Sequence, residues 1–254
     1  MRRRRPWFVF VILALVLLAL VLQRMTGPAR AASDAVTAVA SVTIADDRTT
    51  LHAEGPDGAA AFEFTVGAWQ AWAEEHLEAR LGAPVRIGDQ EMPPSTFDMF
   101  GAAAPSPGGD RVAFTVHAYA MLTTVSIVAV LDAVTLEVDV VSEPAFGGVD
   151  ECAWSPGGRF VAYALDTARA QGDGFRIDDL RELRPVRHLT AEDVLAVAPT
   201  GPRAAEPPEW LPMFRDPTWI GDTRLLVTTN DPSVAEAGER RWSVTLDAPL
   251  STNE

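Results

Sequence analysis

The side chains that most often carry catalysis or bind metals are sparse in this sequence and show no recognised spacing. The four histidines are far apart, and none has the spacing of a zinc ligand: His52, His76, His117 and His188. The sequence contains no Gly-x-Ser-x-Gly turn, and nothing resembles a phosphate-binding or dinucleotide-binding loop. We therefore predict no catalytic residue, no cofactor and no metal, and we expect a protein that is not an enzyme.

Pairs of acidic residues are the one pattern that could hold a cation such as calcium. The pairs are Asp46-Asp47, Asp150-Glu151 and Asp178-Asp179, and the densest cluster joins Asp173-Gly174 to the last pair. None of them has the alternating oxygen ligands of a known calcium loop. Exposed acids in loops explain the pairs better, so no metal site is predicted there.

A stretch rich in proline and aromatic residues, 207–219, is the candidate contact surface of the chain. The side chains expected to meet a partner are Trp210, Leu211, Met213 and Phe214. A long loop that carries Trp, Met and Phe is typical of a docking surface. The alternative is that the stretch folds back and covers the open edge of a sheet.

The first 25 residues predict delivery into or across a membrane. Arg2–Arg5 precede the wholly apolar stretch Trp7–Leu22, which is slightly long for a signal-peptide core and slightly short for a membrane helix. Because basic flanks stay in the cytosol, we expect everything after Arg24 to lie outside it, in the periplasm or the extracellular space. Residues 26–35 are predicted to form a tether between the membrane and the folded part. The segment is either a retained anchor or a signal peptide that is cleaved after Ala31, which would give a secreted protein.

Two counts over the whole chain, of charges and of cysteines, limit the possible functions. Six of the 21 basic residues lie at or before Arg30 and all acids lie after it, so 15 basic and 35 acidic residues give the exported part a net charge of −20. Such a surface repels nucleic acid and anionic lipid. Cys152 is the only cysteine, so the chain can form no internal disulfide. Its apolar surroundings predict a buried and unreactive thiol.

Residues 36–100 predict a small α+β segment. Apolar residues alternate over 36–66 around the turn Gly55-Pro56-Asp57-Gly58, which predicts a β-hairpin or small meander. Residues 89–109 are rich in Pro and Gly, and they predict a linker or long loop.

The period of the apolar residues changes to that of an amphipathic helix from Ala68 to Leu81. Gly82 should end this helix as a cap. The apolar stripe begins at Trp69 and includes His76, which we expect to be a packed imidazole.

From residue 101 to about 250 the chain repeats a short unit. The core Ser106-Pro107-Gly108-Gly109 recurs 49 residues later as Ser155-Pro156-Gly157-Gly158, and each copy leads into an apolar strand. A degraded third copy spans 218–228. Each copy is followed by a second strand candidate, at 126–132, 175–179 and 242–247. A period in this range is typical of solenoids and propellers, whose units bury an apolar face only against a neighbour.

The best copy, Trp154 to Tyr163, resembles the TolB-like (WD40-like) β-propeller repeat, whose signature is Trp-Ser-Pro-Asp/Gly-Gly followed by an apolar pair, Ala and an aromatic. The resemblance covers about residues 105–248 in three imperfect copies. Pro105 stands where the first copy should have Trp, and the third copy lacks Ser-Pro. The resemblance implies that Trp154, Tyr163 and Trp219 pack within and between blades. Without a nucleophile turn, the peptidase domain that often accompanies such propellers is not expected.

The fold class expected from these features is mainly β, with partial or irregular propeller-like repeats over 101–250 and one helix in the segment before them. Closed propellers contain about four to eight blades. An incomplete propeller, a β-sandwich, and an array completed by an oligomer or partner therefore stay open.

The function expected is that of a non-enzymatic, membrane-tethered domain that binds a protein or polymer partner in the cell envelope, by analogy with TolB-like domains. The alternative is an exported enzyme, or a sensor of a small molecule or metal, with its site at the loops where blades end.

Overall fold

The computed structural model describes residues 38–120, 123–140, 142–149, 151–165, 174–182, 184–190, 193, 214–231, 238–247 and 251–252. The predicted membrane or signal segment, residues 1–25, and the tether, 26–35, lie outside the described residues. Within those residues, no helix is both long and apolar enough to cross a membrane. The predicted mainly β fold is confirmed: in the part of the chain that the structure describes, the helix at Val66–Leu81 accompanies several antiparallel sheets.

The N-terminal segment forms a three-stranded antiparallel sheet followed by the helix. Its strands are β1 (Ser41–Ile44), β2 (Thr50–Glu54) and β3 (Ala60–Thr65), paired in that order. The helix α1 spans Val66–Leu81, two residues earlier than predicted, because the Thr65 hydroxyl caps it by accepting the Ala68 N–H at 3.2 Å. A short hairpin of β4 (Arg86–Ile87) and β5 (Gln90–Glu91) and a 3-10 turn at Pro94–Thr96 follow.

The residues of the apolar stripe predicted on the helix differ in burial. Trp69, Ala73 and Leu77 are buried as expected, and Gly82 ends the helix in the left-handed conformation (φ 74°). His76 is not packed as predicted: its side chain is 46% exposed, at the margin of the stripe, and its ring lies 5.6 Å from that of Trp72. The stripe is therefore narrower than its sequence pattern suggested.

Three larger antiparallel sheets follow along the chain. The first sheet contains β6 (Met99–Pro105), β7 (Arg111–Ala120), β8 (Thr123–Asp132), β9 (Val138–Val140) and β10 (Ala145–Phe146). In it β8 pairs with β7, β9 and β10, and β7 pairs with β6; in the second and third sheets, the strands pair in sequence order. The second contains β11 (Cys152–Trp154), β12 (Phe160–Ala164), β13 (Phe175–Asp179) and β14 (Arg184–Leu189). The third contains β15 (Phe214–Trp219), β16 (Arg224–Asp231), β17 (Gly238–Thr245) and β18 (Ser251–Thr252).

The two Ser-Pro-Gly-Gly segments form the same turn. The hydroxyl of Ser106 accepts the Arg111 N–H, and that of Ser155 accepts the Phe160 N–H, each at 3.1 Å. The fourth residue of each turn, Gly109 or Gly158, has a φ near 65–69°, which a side chain would strain. The repeat in the sequence therefore marks one tight turn at the start of β7 and the same turn at the start of β12.

The large sheets pack face to face in chain order. Alternate residues of β12 point to opposite faces, so Val161 and Tyr163 meet the first sheet, while Phe160 and Ala162 meet the third. The outer face of the first sheet is covered by α1 and the three-stranded sheet, through a core that includes Trp69 and Phe114. The second sheet is thus buried on both faces.

One hydrogen bond repeats between successive sheets. The indole N–H of Trp154 donates to the Ala104 carbonyl at 2.9 Å, and the indole N–H of Trp219 donates to the Ala153 carbonyl at 3.1 Å. Donors and acceptors occupy equivalent positions in their copies of the repeat. The first strands of the three sheets, β6, β11 and β15, are therefore joined in series by the same contact.

Candidate functional site

The predicted contact residues are only partly within the described structure. Phe214 begins β15 and is buried, at 7% exposure, with its ring 6.0 Å from that of Phe175. Trp210, Leu211 and Met213 lie outside the described residues. The contact surface at 207–219 therefore stays a prediction, and Phe214 itself belongs to the core between the second and third sheets.

The acidic pairs differ in their surroundings. Asp46 and Asp47 lie exposed in the β1–β2 turn, where the Thr49 N–H bonds the Asp47 carboxylate and lowers its pKa. Asp178 and Asp179 were expected in an exposed loop, but they end β13 and are buried at 0% and 1% exposure. Among the described residues, no group of three His, Cys, Asp or Glu side chains is placed to hold a metal ion.

A cleft of about 660 Å³ opens at the turn ends of the second and third sheets. It is bordered by the β11–β12 and β13–β14 turns on one side and by the β15–β16 and β17–β18 turns on the other. Its size falls within the usual range for a ligand site.

The wall from the second sheet is positively charged. The Arg159 guanidinium binds the Asp179 carboxylate, with the Nε–Oδ2 distance at 3.0 Å. This contact lowers the pKa of Asp179 and raises that of Arg159. Arg181 is exposed, and its guanidinium makes no ion pair within the described part of the chain. Arg181 therefore offers an unneutralised cation to the cleft.

The wall from the third sheet is negatively charged. Asp222 accepts the Gly157 N–H, and a Cβ on Gly157 would lie 2.8 Å from the Asp222 carboxylate, so the contact depends on glycine. Asp247 is exposed and forms no ion pair with the described residues. The cleft is therefore bipolar, with a free cation on one wall and a free anion on the other.

The floor of the cleft is apolar. It contains Phe160, which is 7% exposed and stacks on Trp219 with 6.1 Å between ring centroids, together with Pro185, Val186 and Leu246. An apolar floor between two opposite charges suits a ligand that presents an apolar group flanked by an acid and a base.

Sequence reasoning did not find these cleft residues as a site. The lining turns are far apart along the chain, and no motif spacing links Gly157, Arg181, Asp222 and Asp247. The available signals were the arginine-rich stretch 181–187 in an acidic domain and the replacement of Ser-Pro-Gly by Ile-Gly-Asp in the third copy of the repeat.

The single cysteine fits the predicted unreactive thiol. Cys152 begins β11 as a half-buried residue, and burial of its thiol raises the pKa to about 12. The thiol therefore stays protonated at neutral pH.

Comparisons with known proteins found similarity only among solved structures. No protein-family model matches the chain, and no curated protein shows a significant match. An acylaminoacyl peptidase of Pyrococcus horikoshii is 11% identical over 81% of this chain, with a TM-score of 0.43. A prolyl endopeptidase is 12% identical over 85% of it, with a TM-score of 0.41, and the Kuenenia stuttgartiensis hydrazine synthase is 11% identical over 86%, with a TM-score of 0.32. The chain spans 27% and 29% of the two peptidases and 66% of the hydrazine synthase chain.

These findings correct one expectation. We expected a protein that is not an enzyme. Two of the three structures named above are peptidases, which contradicts that expectation, and it is therefore withdrawn. With TM-scores below 0.5, the similarity assigns no reaction to this chain.

Proposed function

We propose that this chain is an exported protein, held at the membrane by residues 7–22, whose TolB-like, propeller-type β domain binds a protein or polymer partner of the cell envelope. The partner occupies the cleft between the second and third sheets. The orientation follows from Arg2–Arg5 and the apolar stretch after them.

The propeller-type arrangement is supported by the repeated contact between sheets. In a propeller, each four-stranded blade packs its face against the next, and equivalent residues meet at each junction. The Trp154 and Trp219 indoles bond equivalent carbonyls one repeat earlier, and the second and third sheets are simple four-stranded meanders. Pro105 has no indole, so the first sheet cannot make this contact with what precedes it, and α1 and β1–β3 cover that face instead.

The bipolar cleft is the observation that carries the binding function. Arg181 and Asp247 are exposed charges of opposite sign that face one open space above an apolar floor. In a domain whose net charge is −20, an unneutralised arginine beside an open cleft favours a partner with an acidic group. Asp247 then selects a basic group a short distance along the same partner.

Photo-crosslinking in the source cells tests the cleft. A photoreactive amino acid replaces Thr223, an exposed residue of the cleft lining that carries no charge, in the full chain. A matched variant carries it at Asp89, which is exposed in the β4–β5 turn. We expect a discrete covalent adduct from position 223 and none from position 89. Equal labelling from both positions, or no adduct from 223, would rule out the cleft as the partner site.

The tether is tested by fractionation and N-terminal sequencing of the native protein. An intact Met1 in the membrane fraction is expected. A new terminus at Ala32 in the soluble fraction would contradict tethering while leaving export and the cleft intact.

A small-molecule ligand is the second candidate, because a volume of about 660 Å³ also fits a metabolite that bears both an acid and an amine. Native mass spectrometry of the full chain, released from a mild detergent, distinguishes the two. A retained mass of a few hundred daltons would favour the small molecule, and an adduct of protein size from position 223 would favour the partner.

A further inference from the structure

The interface between the first and second sheets buries a carboxylate that is only half satisfied. Asp178 on β13 is 0% exposed, and its Oδ2 accepts the Tyr163 hydroxyl at 2.7 Å. Its Oδ1 has no hydrogen-bond partner within the described residues. The nearest cation, the Arg176 guanidinium, lies 3.9 Å away, which is beyond hydrogen-bonding distance.

The facing wall is the segment 142–149, which contains strand β10 of the first sheet and then leads toward β11. Side chains of the first sheet hold this segment: the Thr115 hydroxyl donates to the Val149 carbonyl at 3.1 Å, and the Val149 N–H donates to His117 Nε2 at 3.2 Å. At its start, the Ser142 hydroxyl is buried and has no hydrogen-bond partner among the described residues. Ser142 lies close enough to Tyr163 to lower the pKa of its phenol. Unsatisfied polar atoms therefore line both sides of this interface.

Few charges compensate the carboxylate. The titratable or charged side chains of the surrounding elements are Tyr163 on β12, Arg176 on β13, His188 on β14, Cys152 on β11 and, on the first sheet, His117 on β7. Burial raises the pKa of Asp178 to about 6, against opposing effects of Arg176, Tyr163 and His188. Burial also raises the pKa of Tyr163 well above its usual value, so the phenol remains a hydrogen-bond donor.

We propose that Asp178 is a pH-sensitive latch between the first and second sheets, closed when its carboxyl group is protonated and loosened when it is ionised. Protonation removes the carboxylate charge from the layer that contains Val161 and Leu180, while the Arg176 guanidinium remains 3.9 Å away. The ionised group leaves a charge with a single donor, and separating segment 142–149 from the second sheet lets water solvate it.

The pH range of the latch follows from the two pKa values of Asp178. The closed interface has the higher value, about 6, and an opened interface has the ordinary value, 3.8. The free energy of closing is therefore most favourable below pH 3.8. It becomes less favourable as the pH rises from 3.8 to about 6, and it changes little above that. Linkage between these values predicts that opening becomes roughly tenfold more favourable between pH 5 and pH 7.

Hydrogen exchange of the full chain in a nonionic detergent tests the latch. Exchange of peptides covering 142–149 is measured by mass spectrometry at pH 5 and pH 7 and corrected for the intrinsic exchange rate. We expect protection of these peptides to fall about tenfold in the native protein. We expect no such fall in Asp178→Asn, which keeps the shape of the side chain and cannot ionise. Asp179→Asn is the matched control, because Asp179 is adjacent but faces the cleft, and it should retain the tenfold fall.

A second variant keeps the test independent of the folding of Asp178→Asn. Tyr163→Phe removes the only hydrogen-bond donor to the ionised carboxylate among the described residues, so it should enlarge the fall in protection beyond tenfold. Protection that does not change with pH in the native protein would overturn the proposal. An unaltered pH response in Asp178→Asn would assign the effect to a histidine and would overturn it equally.

Discussion

The hydrogen bonds that join successive sheets can be isolated by making one chemical change at two tryptophans. Trp154→Phe removes the donor to the Ala104 carbonyl, whereas Trp69→Phe removes an indole N–H that is fully buried without a partner. Both changes leave a similar space, which costs about 1 kcal/mol. They differ in whether the indole N–H that is removed had a hydrogen-bond partner among the described residues.

The hydrogen-bonding contribution to the change in unfolding free energy has opposite signs in the two variants. In Trp154→Phe, the unsatisfied Ala104 carbonyl adds about 1–3 kcal/mol, for a total loss of about 2–4 kcal/mol of unfolding free energy. The Arg111 guanidinium, 5.1 Å from the Trp154 ring, also loses part of its attraction. In Trp69→Phe, removal of an unsatisfied N–H returns about 1–3 kcal/mol, so the net effect is near zero or slightly stabilising.

The assay is urea unfolding of the full chain in a nonionic detergent, followed by circular dichroism, because tryptophan fluorescence changes with the substitutions themselves. A loss of 3 kcal/mol would also lower the melting temperature by roughly 6–12 °C in a domain of this size. If the two variants lose the same stability within about 0.5 kcal/mol, the indole contact does not hold the sheets together, and the reasoning from the repeated hydrogen bond is refuted.

Three further predictions concern single positions. Gly101→Ala should destabilise the fold by about 3 kcal/mol or more, measured by the same unfolding assay, because a Cβ there would lie 2.1 Å from the His117 ring; a neutral effect would show that the ring has room to move. Cys152 should react with iodoacetamide at pH 8 at least about a hundredfold more slowly in the folded chain than in urea, because burial raises the pKa of its thiol to about 12. The two rates are measured by mass spectrometry, and equal rates would contradict the burial of the thiol. Asp179→Asn should destabilise the chain fully at pH 7 and progressively less as the pH falls below 3.8, because Arg159 lowers the pKa of Asp179 and this stabilisation is lost as the pH falls through the folded value. A loss that stays constant as the pH falls would mean that the ion pair is not its cause.

The sequence predicts the repeated elements of this fold because their signals are local. Ser106 and Ser155 each bond the N–H five residues later, so the Ser-Pro-Gly-Gly turn is encoded within its own segment. The same holds for the helix that Gly82 ends, where only the cap by Thr65 was missed.

The linker predicted at 89–109 shows where local signals fail. Met99–Pro105 forms strand β6 instead, although its alanines and glycine have no strand pattern. Small residues are needed there because the His117 ring and the Val149 carbonyl occupy the space beside Gly101. That requirement comes from residues distant in sequence, so composition alone suggested a loop.

The buried acids and the cleft were missed for the same physical reason. Asp178 and Asp179 read as loop residues because acids are seldom buried. Their partners, Tyr163 and Arg159, lie 15 and 20 residues earlier on a neighbouring strand and its turn. The cleft combines turns of two sheets, and no spacing in the chain records that they meet.

Charge reversal at the cleft tests the central claim most directly, since the claim is that opposite charges on its two walls select the partner. The yield of the adduct from a photoreactive residue at position 223, which leaves both wall charges in place, is compared between Arg181→Glu and Arg241→Glu. The second variant reverses an exposed arginine on β17 outside the cleft lining. We predict that Arg181→Glu abolishes most of the adduct and that Arg241→Glu leaves it unchanged. An adduct that survives Arg181→Glu, or is lost equally in both variants, would contradict the account.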